Sequence, residues 1–365
     1  MRNSWTLILA LVVCAHLSHS VVAQLPVATG RQFTLSNAAW KVFIPSTYQH
    51  RAGNVAALLV HFHGDPQTVW NNALYAKLNT IVLTVNYSGA SSAYAGPFSN
   101  NRLFGSILSE SLAVVRAQPD FSSTLAWDQL GVSSFSAGYG AVREILKSAS
   151  YRSDIDALLA ADSLYATTAG DGTPLDSQMV DYKTFASLAH AGSKTFLFSH
   201  SQVLTYTYEN TMETGDELLH HLGVSATAHN VNGLGTLNFY RYAESGNFRL
   251  WGALGADPDA HLEHLRYIGD FFEELPLVKL AGPGDFDHDE DVDGHDFLVW
   301  QRGNSPNALA ANDLLEWQNN YGQPASAAVG RVVPEPTMLS LMVLMVLLAT
   351  QRLGGTKRER VTSRE

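Results

Sequence analysis

An apolar segment that runs directly into a serine-containing turn constrains the fold of this chain most. Residues 130–140 read Leu-Gly-Val-Ser-Ser-Phe-Ser-Ala-Gly-Tyr-Gly, and a helical pattern continues to residue 150. A strand that turns this sharply into a helix has a strained backbone and close neighbours, so it needs small residues on either side. Ser134 and Gly138 meet that need. We therefore expect Ser136 to lie on a tight turn at the end of a buried strand. The other interpretation is that Ser136 only caps the following helix.

The sequence around this turn alternates between short apolar runs and helical stretches. Strands that are covered by helices on both faces read as apolar runs rather than alternating ones. The pattern therefore predicts an α/β fold with a mostly parallel sheet and helices on both faces. The predicted strands are 56–61, 80–86, 130–135, 156–161, 194–199 and 248–253, preceded by a strand pair within 31–43, and the clearest helical stretches are 104–117, 139–150 and 216–222.

From about Arg31 to Leu275 the chain resembles the α/β-hydrolase family, because a strand, a Ser-Phe-Ser-Ala-Gly turn and a helix follow one another at residues 130–150. The family usually has glycine where this chain has Ser134. The resemblance implies a serine hydrolase with Ser136 as the nucleophile and with no cofactor for catalysis.

A second apolar strand, which ends in His63 and Gly64, precedes the serine by about seventy residues. The resemblance implies that the loop after this strand and the residue after the nucleophile donate backbone N–H groups to the oxyanion. Those groups are the amides of Asp65 and Ala137. Alternate residues His61 and His63 share a face of the strand, but a metal site there lacks a third ligand.

The general base and its acid are assigned from the same resemblance. His261 lies where a loop after the last predicted strand meets the final helix, and His264 is the alternative. The loop at 200–205 contains no carboxylate, although most members of the family carry their acid there. Asp162 directly follows an apolar strand, and a buried aspartate needs a partner such as a histidine N–H. We assign Asp162 as the acid, with Glu209 as the alternative.

An acidic loop of twelve residues, 285–296, follows a Gly/Pro hinge at 281–284. Its spacing and the helical stretch that follows resemble a type I dockerin repeat, which implies one structural Ca²⁺. Glu290 occupies position six, where glycine normally makes the turn, and a second repeat at 304–313 has lost nearly all its ligands. The alternative is an unstructured, solvated acidic linker. The predicted ligands are Asp285, Asp287, Asp289, Asp291, Asp293 and Asp296.

Both termini carry segments typical of export. Residues 1–23 combine Arg2 with a short apolar run and resemble a secretory signal peptide, and they contain the only cysteine, Cys14, whose lipidation is an alternative. Residues 333–365 read Val-Pro-Glu-Pro, then an apolar run, then basic residues, and resemble a PEP-CTERM sorting signal. That resemblance implies processing by an exosortase-type peptidase at a Gram-negative envelope. We therefore expect an exported protein that the tail first holds in the inner membrane.

These assignments divide the chain into a signal peptide (1–23), an α/β-hydrolase domain (24–280), a dockerin-like calcium-loop module (281–322), a linker (323–332) and the sorting segment (333–365). The net charge of −11 argues against a nucleic acid partner. We expect a carboxylic ester hydrolase whose ester substrate is, by analogy with dockerin-bearing proteins, linked to polysaccharide. Esterase and peptidase activity both remain open, and the alternative function is a non-catalytic envelope binding or assembly protein on a decayed hydrolase fold.

Deletion of residues 333–365 should move the protein from the membrane fraction to the soluble exported fraction. The tail is apolar and then basic, which is the order that stops translocation. Fractionation followed by immunoblotting measures the redistribution, and ester hydrolysis by the truncated protein should equal that of the full chain. A truncated protein that stays in the membrane fraction would point to lipidation of Cys14 instead.

Overall fold

The computed structural model describes residues 25–322 except residues 52, 288 and 290, so the predicted signal peptide, linker and sorting segment lie outside the described residues. The chain divides into two compact units, of which the first ends at Leu280 and the second begins at Ala281. Within the described part of the chain, no helix is both long enough and apolar enough to cross a membrane.

In the first unit, the described residues form one sheet of ten strands. The strands are β1 (Gly30–Thr34), β2 (Trp40–Pro45), β3 (Val55–Phe62), β4 (Thr80–Val85), β5 (Ala126–Phe135), β6 (Ala157–Ala161), β7 (Thr195–His200), β8 (Thr227–Asn232), β9 (Asn238–Ser245) and β10 (Phe248–Ala253). Their order in the sheet is β1-β2-β4-β3-β5-β6-β7-β10-β9-β8. The six central strands, from β4 to β10 in this order, run parallel, and antiparallel strands flank them on both sides. This is the α/β-hydrolase fold, as the sequence predicted.

Apolar side chains on both faces of the sheet bury it between two cores. Leu58 and Val60 of β3 belong to one buried cluster and Leu59 belongs to the other, as the two-residue period of a strand requires. The helices of this unit are α1 (Pro66–Tyr75), α2 (Ser91–Phe98), α3 (Leu103–Arg116), α4 (Tyr139–Leu146), α5 (Ala149–Asp154), α6 (Asp176–His190), α7 (Thr211–Leu222), α8 (Pro258–Arg266) and α9 (Gly269–Glu273).

Two predicted helices differ from the observed ones because of local capping. The stretch predicted at 139–150 is two helices, since Ser148 accepts a hydrogen bond from the Tyr151 amide and begins α5. Helix α7 begins at Thr211 rather than at residue 216. Asn210 and Glu213 form a reciprocal capping box there, which satisfies backbone N–H groups at the start of the helix.

In the second unit, the described residues form two helices, α10 (Gly294–Gln301) and α11 (Ala311–Asn320). Their tryptophans make reciprocal bonds. Trp300 of α10 donates to the carbonyl of Ala310, which caps α11, at 2.9 Å, and Trp317 of α11 donates to the carbonyl of Asp293, which caps α10, at 2.6 Å. This exchange joins the two halves of the unit across their helix N-termini.

Candidate active site

Ser136 lies where the sequence predicted, on a one-turn 3₁₀ helix (136–138) between β5 and α4. Its φ of 47° is in the left-handed region, which costs a non-glycine residue free energy and persists only when the surroundings enforce it. One enforcing contact is Ser163, whose hydroxyl is 2.9 Å from the Ser136 carbonyl and 2.8 Å from the Ser134 hydroxyl. Ser134 thus makes a side-chain hydrogen bond that a glycine at this position could not make.

The turn packs directly on the end of β3. A Cβ added to Gly138 would lie 2.2 Å from the carbonyl oxygen of Phe62, and one added to Gly140 would lie 2.3 Å from that of Ser91. Such distances exclude any side chain unless the backbone moves. Glycine at 138 therefore brings the turn of Ser136 against the loop that follows Phe62, which is the loop predicted to donate to the oxyanion.

His261 and Asp162 contact each other directly. Asp257 caps α8, with Pro258 in its first turn, and this places His261 near the start of the helix. The Nδ1 atom of His261 lies 2.6 Å from Oδ2 of Asp162. Asp162 directly follows β6, has a φ of 43° and is fully buried, whereas the His261 side chain retains 20% exposure. A buried carboxylate thus orients a partly exposed imidazole, as an acid and base of a catalytic triad require.

The second oxygen of the Asp162 carboxylate is also bonded. Oδ1 accepts a hydrogen bond from the Ser201 amide at 2.9 Å and another from the Thr211 hydroxyl. Burial raises the pKa of Asp162, but the nearby His264 imidazole and the hydrogen bonds from His261 and Thr211 lower it more, so the net pKa is below its usual range. Asp162 is therefore a carboxylate at neutral pH.

A stack of three rings links His261 to the loop after β3. Phe135, the residue before Ser136, stacks on His261 with centroids 4.6 Å apart and on His63 with centroids 6.0 Å apart. His63 is anchored through Nδ1, which lies 2.8 Å from the Tyr94 hydroxyl. Burial and the neighbouring His261 lower the pKa of His63. The stack places the imidazole of His261 beside the turn that carries Ser136.

His61 holds the shape of the loop after β3. Its Nε2 donates to the carbonyl of His63 at 2.8 Å, and its Nδ1 lies 3.0 Å from the Ser133 hydroxyl. His63 has a φ of 72°, so this bond supports a strained turn. Burial lowers the pKa of His61 to about 3, and the residue is neutral. Both nitrogens of His61 are thus bonded within the protein.

The alternative base and the alternative acid make other contacts. His264 is fully buried, with Nδ1 2.8 Å from the Ser199 hydroxyl, and burial lowers its pKa to about 4. Glu209 pairs through its backbone with Ala166. The Asp65 side chain caps α1 by accepting from the Thr68 amide at 2.9 Å. The oxyanion role of the Asp65 and Ala137 amides stays a prediction, as do the catalytic roles of Ser136, His261 and Asp162.

The acidic loop of the second unit clusters its carboxylates in two groups of three, with ligand atoms within 4.8 Å of one another in each group. Asp296 is buried and accepts from the amides of Phe286 at 2.5 Å and Asp293 at 2.7 Å. Burial and the carboxylates of Asp296 and Asp289 raise the pKa of Asp287 to about 6. Crowded carboxylates in a twelve-residue loop fit a hard cation. The groups are Asp285, Asp287 and Asp289, and Asp291, Asp293 and Asp296.

The degenerate second repeat keeps one carboxylate, which accepts hydrogen bonds from a residue of the same repeat. Asp313 of α11 is buried and accepts from the Asn307 amide at 2.7 Å and from the Asn307 side chain at 3.1 Å. These two hydrogen bonds hold residue 307 of the loop against the start of α11. In the described residues the groups of three carboxylates lie in the first repeat only.

No family model and no curated protein match the chain. Among solved structures, it is similar to a dienelactone hydrolase-like promiscuous phosphotriesterase from metagenomic libraries, with 12% identity and a TM-score of 0.37 over 68% of this chain and 99% of that one. It is also similar to a feruloyl esterase module from Clostridium thermocellum, with 13% identity and a TM-score of 0.38 over 68% of this chain and 87% of that one. An uncharacterised protein from Capnocytophaga ochracea has 11% identity and a TM-score of 0.40 over 80% of this chain and 79% of that one. These identities and TM-scores are too low to bear on activity, so the assignment of the fold rests on the order of the strands.

Gly138→Ala should lower the free energy of unfolding by about 1–3 kcal/mol, because its methyl group would force the turn away from the Phe62 carbonyl. Gly170→Ala is the matched control, since a Cβ there meets nothing within 4 Å. Urea unfolding of both variants measures the difference. Equal stabilities would show that the turn does not depend on this close approach.

Calcium should bind the full chain with one ion per molecule, as measured by isothermal titration calorimetry after treatment with a chelator. Asp287→Asn combined with Asp291→Asn should abolish the binding, because it removes ligands from both groups. Asp154→Asn, a charge change on exposed α5, should leave it intact. Equal binding by all three proteins, or none by the unmodified chain, would contradict a calcium loop.

Proposed function

We propose that this protein is an exported serine hydrolase that cleaves carboxylic esters with Ser136, His261 and Asp162. The observation that carries the proposal is the 2.6 Å contact between the fully buried Asp162 and the imidazole of His261, beside the strained turn of Ser136. A buried charge is costly without a partner, and an aspartate–histidine pair next to an activated serine has a direct use in acyl transfer.

The geometry supports the following course of reaction. The Ser136 oxygen attacks the ester carbonyl carbon and gives its proton to Nε2 of His261, while Asp162 stabilises the imidazolium through Nδ1. The bond from the acyl carbon to the leaving oxygen then breaks, and His261 returns the proton to that oxygen. Water attacks the acyl-enzyme and gives a proton to His261, which returns it to Ser136 as the carboxylic acid leaves.

The backbone amides of Asp65 and Ala137 are the proposed oxyanion donors. The contact between Gly138 and the Phe62 carbonyl supports this role, because it brings together the two segments that carry these amides. The proposed substrate is an ester linked to polysaccharide. That part of the proposal rests on the dockerin-like pattern of the calcium loop, whose six aspartates would hold one structural Ca²⁺.

Export, exosortase-type processing and retention at a bacterial cell envelope complete the proposal. They rest on the sequence of residues 1–23 and 333–365. The alternative of a decayed, non-catalytic fold drew its support from the missing carboxylate after β7. Asp162 in contact with His261 supplies a carboxylate from β6 instead, which favours the hydrolase.

Ser136→Ala should abolish hydrolysis of p-nitrophenyl acetate and labelling by a fluorophosphonate, because the hydroxyl is the nucleophile and its removal leaves a small side chain on the turn. Circular dichroism should be unchanged. An unmodified protein that neither cleaves the ester nor reacts with the probe would overturn the proposed function.

Asp162→Asn should lower kcat by about ten-thousand-fold, because the amide no longer holds His261 in the productive tautomer. Glu209→Gln, which alters the alternative acid, should leave kcat near that of the unmodified protein. Steady-state kinetics on p-nitrophenyl acetate compare the two variants. The reverse ranking would make Glu209 the acid.

A further inference from the structure

The Asp162 carboxylate is fixed by donors on both of its oxygens. Oδ2 faces Nδ1 of His261 at 2.6 Å, and Oδ1 accepts from the Ser201 amide and the Thr211 hydroxyl. If Oδ1 lacked donors, the carboxylate could rotate and carry Oδ2 away from the imidazole. The hydrogen bonds to Oδ1 therefore fix the direction of the hydrogen bond between Oδ2 and His261.

Thr211 is placed for this task by the start of α7. Asn210 accepts from the amides of Met212 and Glu213, and the Glu213 carboxylate accepts from the Asn210 amide, so the backbone on either side of Thr211 is fixed. Thr211 is 1% exposed. Its hydroxyl therefore meets the acid from a rigid helix terminus and does not reach solvent or substrate.

The loop after β7 and the helix that follows it carry donors where an acid is usual. The Ser201 amide comes from the start of this loop, and Thr211 is the first residue of α7. Because the acid directly follows β6, this region supports the carboxylate instead of supplying it. Other titratable groups near Asp162 are His264, His200 and Tyr165, each of which is electrostatically coupled to it.

We propose that Thr211 is a positioning residue for the hydrolase reaction, acting through Asp162 to orient His261. The proposal rests on the proposed function, because it assigns Thr211 to the same triad. Its effect is confined to the chemical step, since Thr211 touches the acid and lies away from the substrate. Removal of the hydroxyl lowers kcat and leaves KM unchanged.

The test compares four proteins by steady-state kinetics on p-nitrophenyl acetate and by thermal unfolding: the full chain, Thr211→Val, Thr211→Ser and Thr214→Val. Valine keeps the shape of threonine but leaves Oδ1 one donor short. Serine keeps the hydroxyl. Thr214→Val is the matched control, because Thr214 lies one turn along α7, is fully buried and donates to the Leu164 carbonyl at 2.8 Å without contacting Asp162.

Thr211→Val should lower kcat by about 10- to 100-fold, the effect of losing a hydrogen bond to a charged group, with KM within about twofold. Thr211→Ser should recover kcat to within about threefold. Thr214→Val should keep kcat within about twofold while destabilising the protein as much as Thr211→Val does.

Three other results would overturn the inference. Equal kcat for Thr211→Val and the full chain would show that Oδ1 needs no hydroxyl donor. Equal losses of kcat in Thr211→Val and Thr214→Val would mean that the effect is one of packing in α7. A full chain without hydrolase activity would overturn the proposed function and the role of Thr211 with it, whereas the first two results would leave the proposed function standing.

Discussion

Complete burial of the Asp162 carboxylate is the constraint on which the rest of the site depends. An ionised carboxylate inside a protein is stable only where hydrogen bonds and opposite charge replace its hydration. Here the replacement comes from segments far apart in the chain, namely the loop after β7, the start of α7 and the start of α8. Each of these segments lies beyond the carboxyl end of a strand or at a helix N-terminus. The parallel sheet therefore brings the required donors to one edge, where a single aspartate orders three connections.

The turn that carries Ser136 depends on a second constraint, which is backbone strain. Ser136 and Asp162 both have positive φ values, and both lie directly after a central parallel strand. Ser163 couples them, because its hydroxyl bonds to the Ser136 carbonyl and its backbone directly follows Asp162. Strain at the serine and strain at the acid are thus held by one short connection. Preorganisation of this kind lets catalytic groups keep their positions without reorganising during the reaction.

Sequence patterns could predict the fold because its parallel strands are buried on both faces. Apolar runs such as 56–61 and 248–253 appear in the structure within a residue or two of the predicted bounds. The hairpin of β8 and β9 was missed because β8 is an exposed edge strand of mixed polar composition. Asp162 could be proposed, since an aspartate after an apolar strand needs a partner. Thr211 could not, because no local pattern signals a hydroxyl that meets a carboxylate 49 residues earlier in the chain.

The buried histidines around the site are uncharged near neutral pH, which suits the proposed use of His261 as the base. Burial lowers the pKa of His61 and His200 to about 3 and that of His264 to about 4, so all three are neutral near pH 7. Nε2 of His200 also accepts from the Arg241 guanidinium, which favours its unprotonated form. The buried histidines therefore do not add a full positive charge beside Asp162 at that pH. In the proposed reaction His261 takes a proton from Ser136. Its new charge would then face the Asp162 carboxylate through a 2.6 Å bond, and the attraction would stabilise the imidazolium.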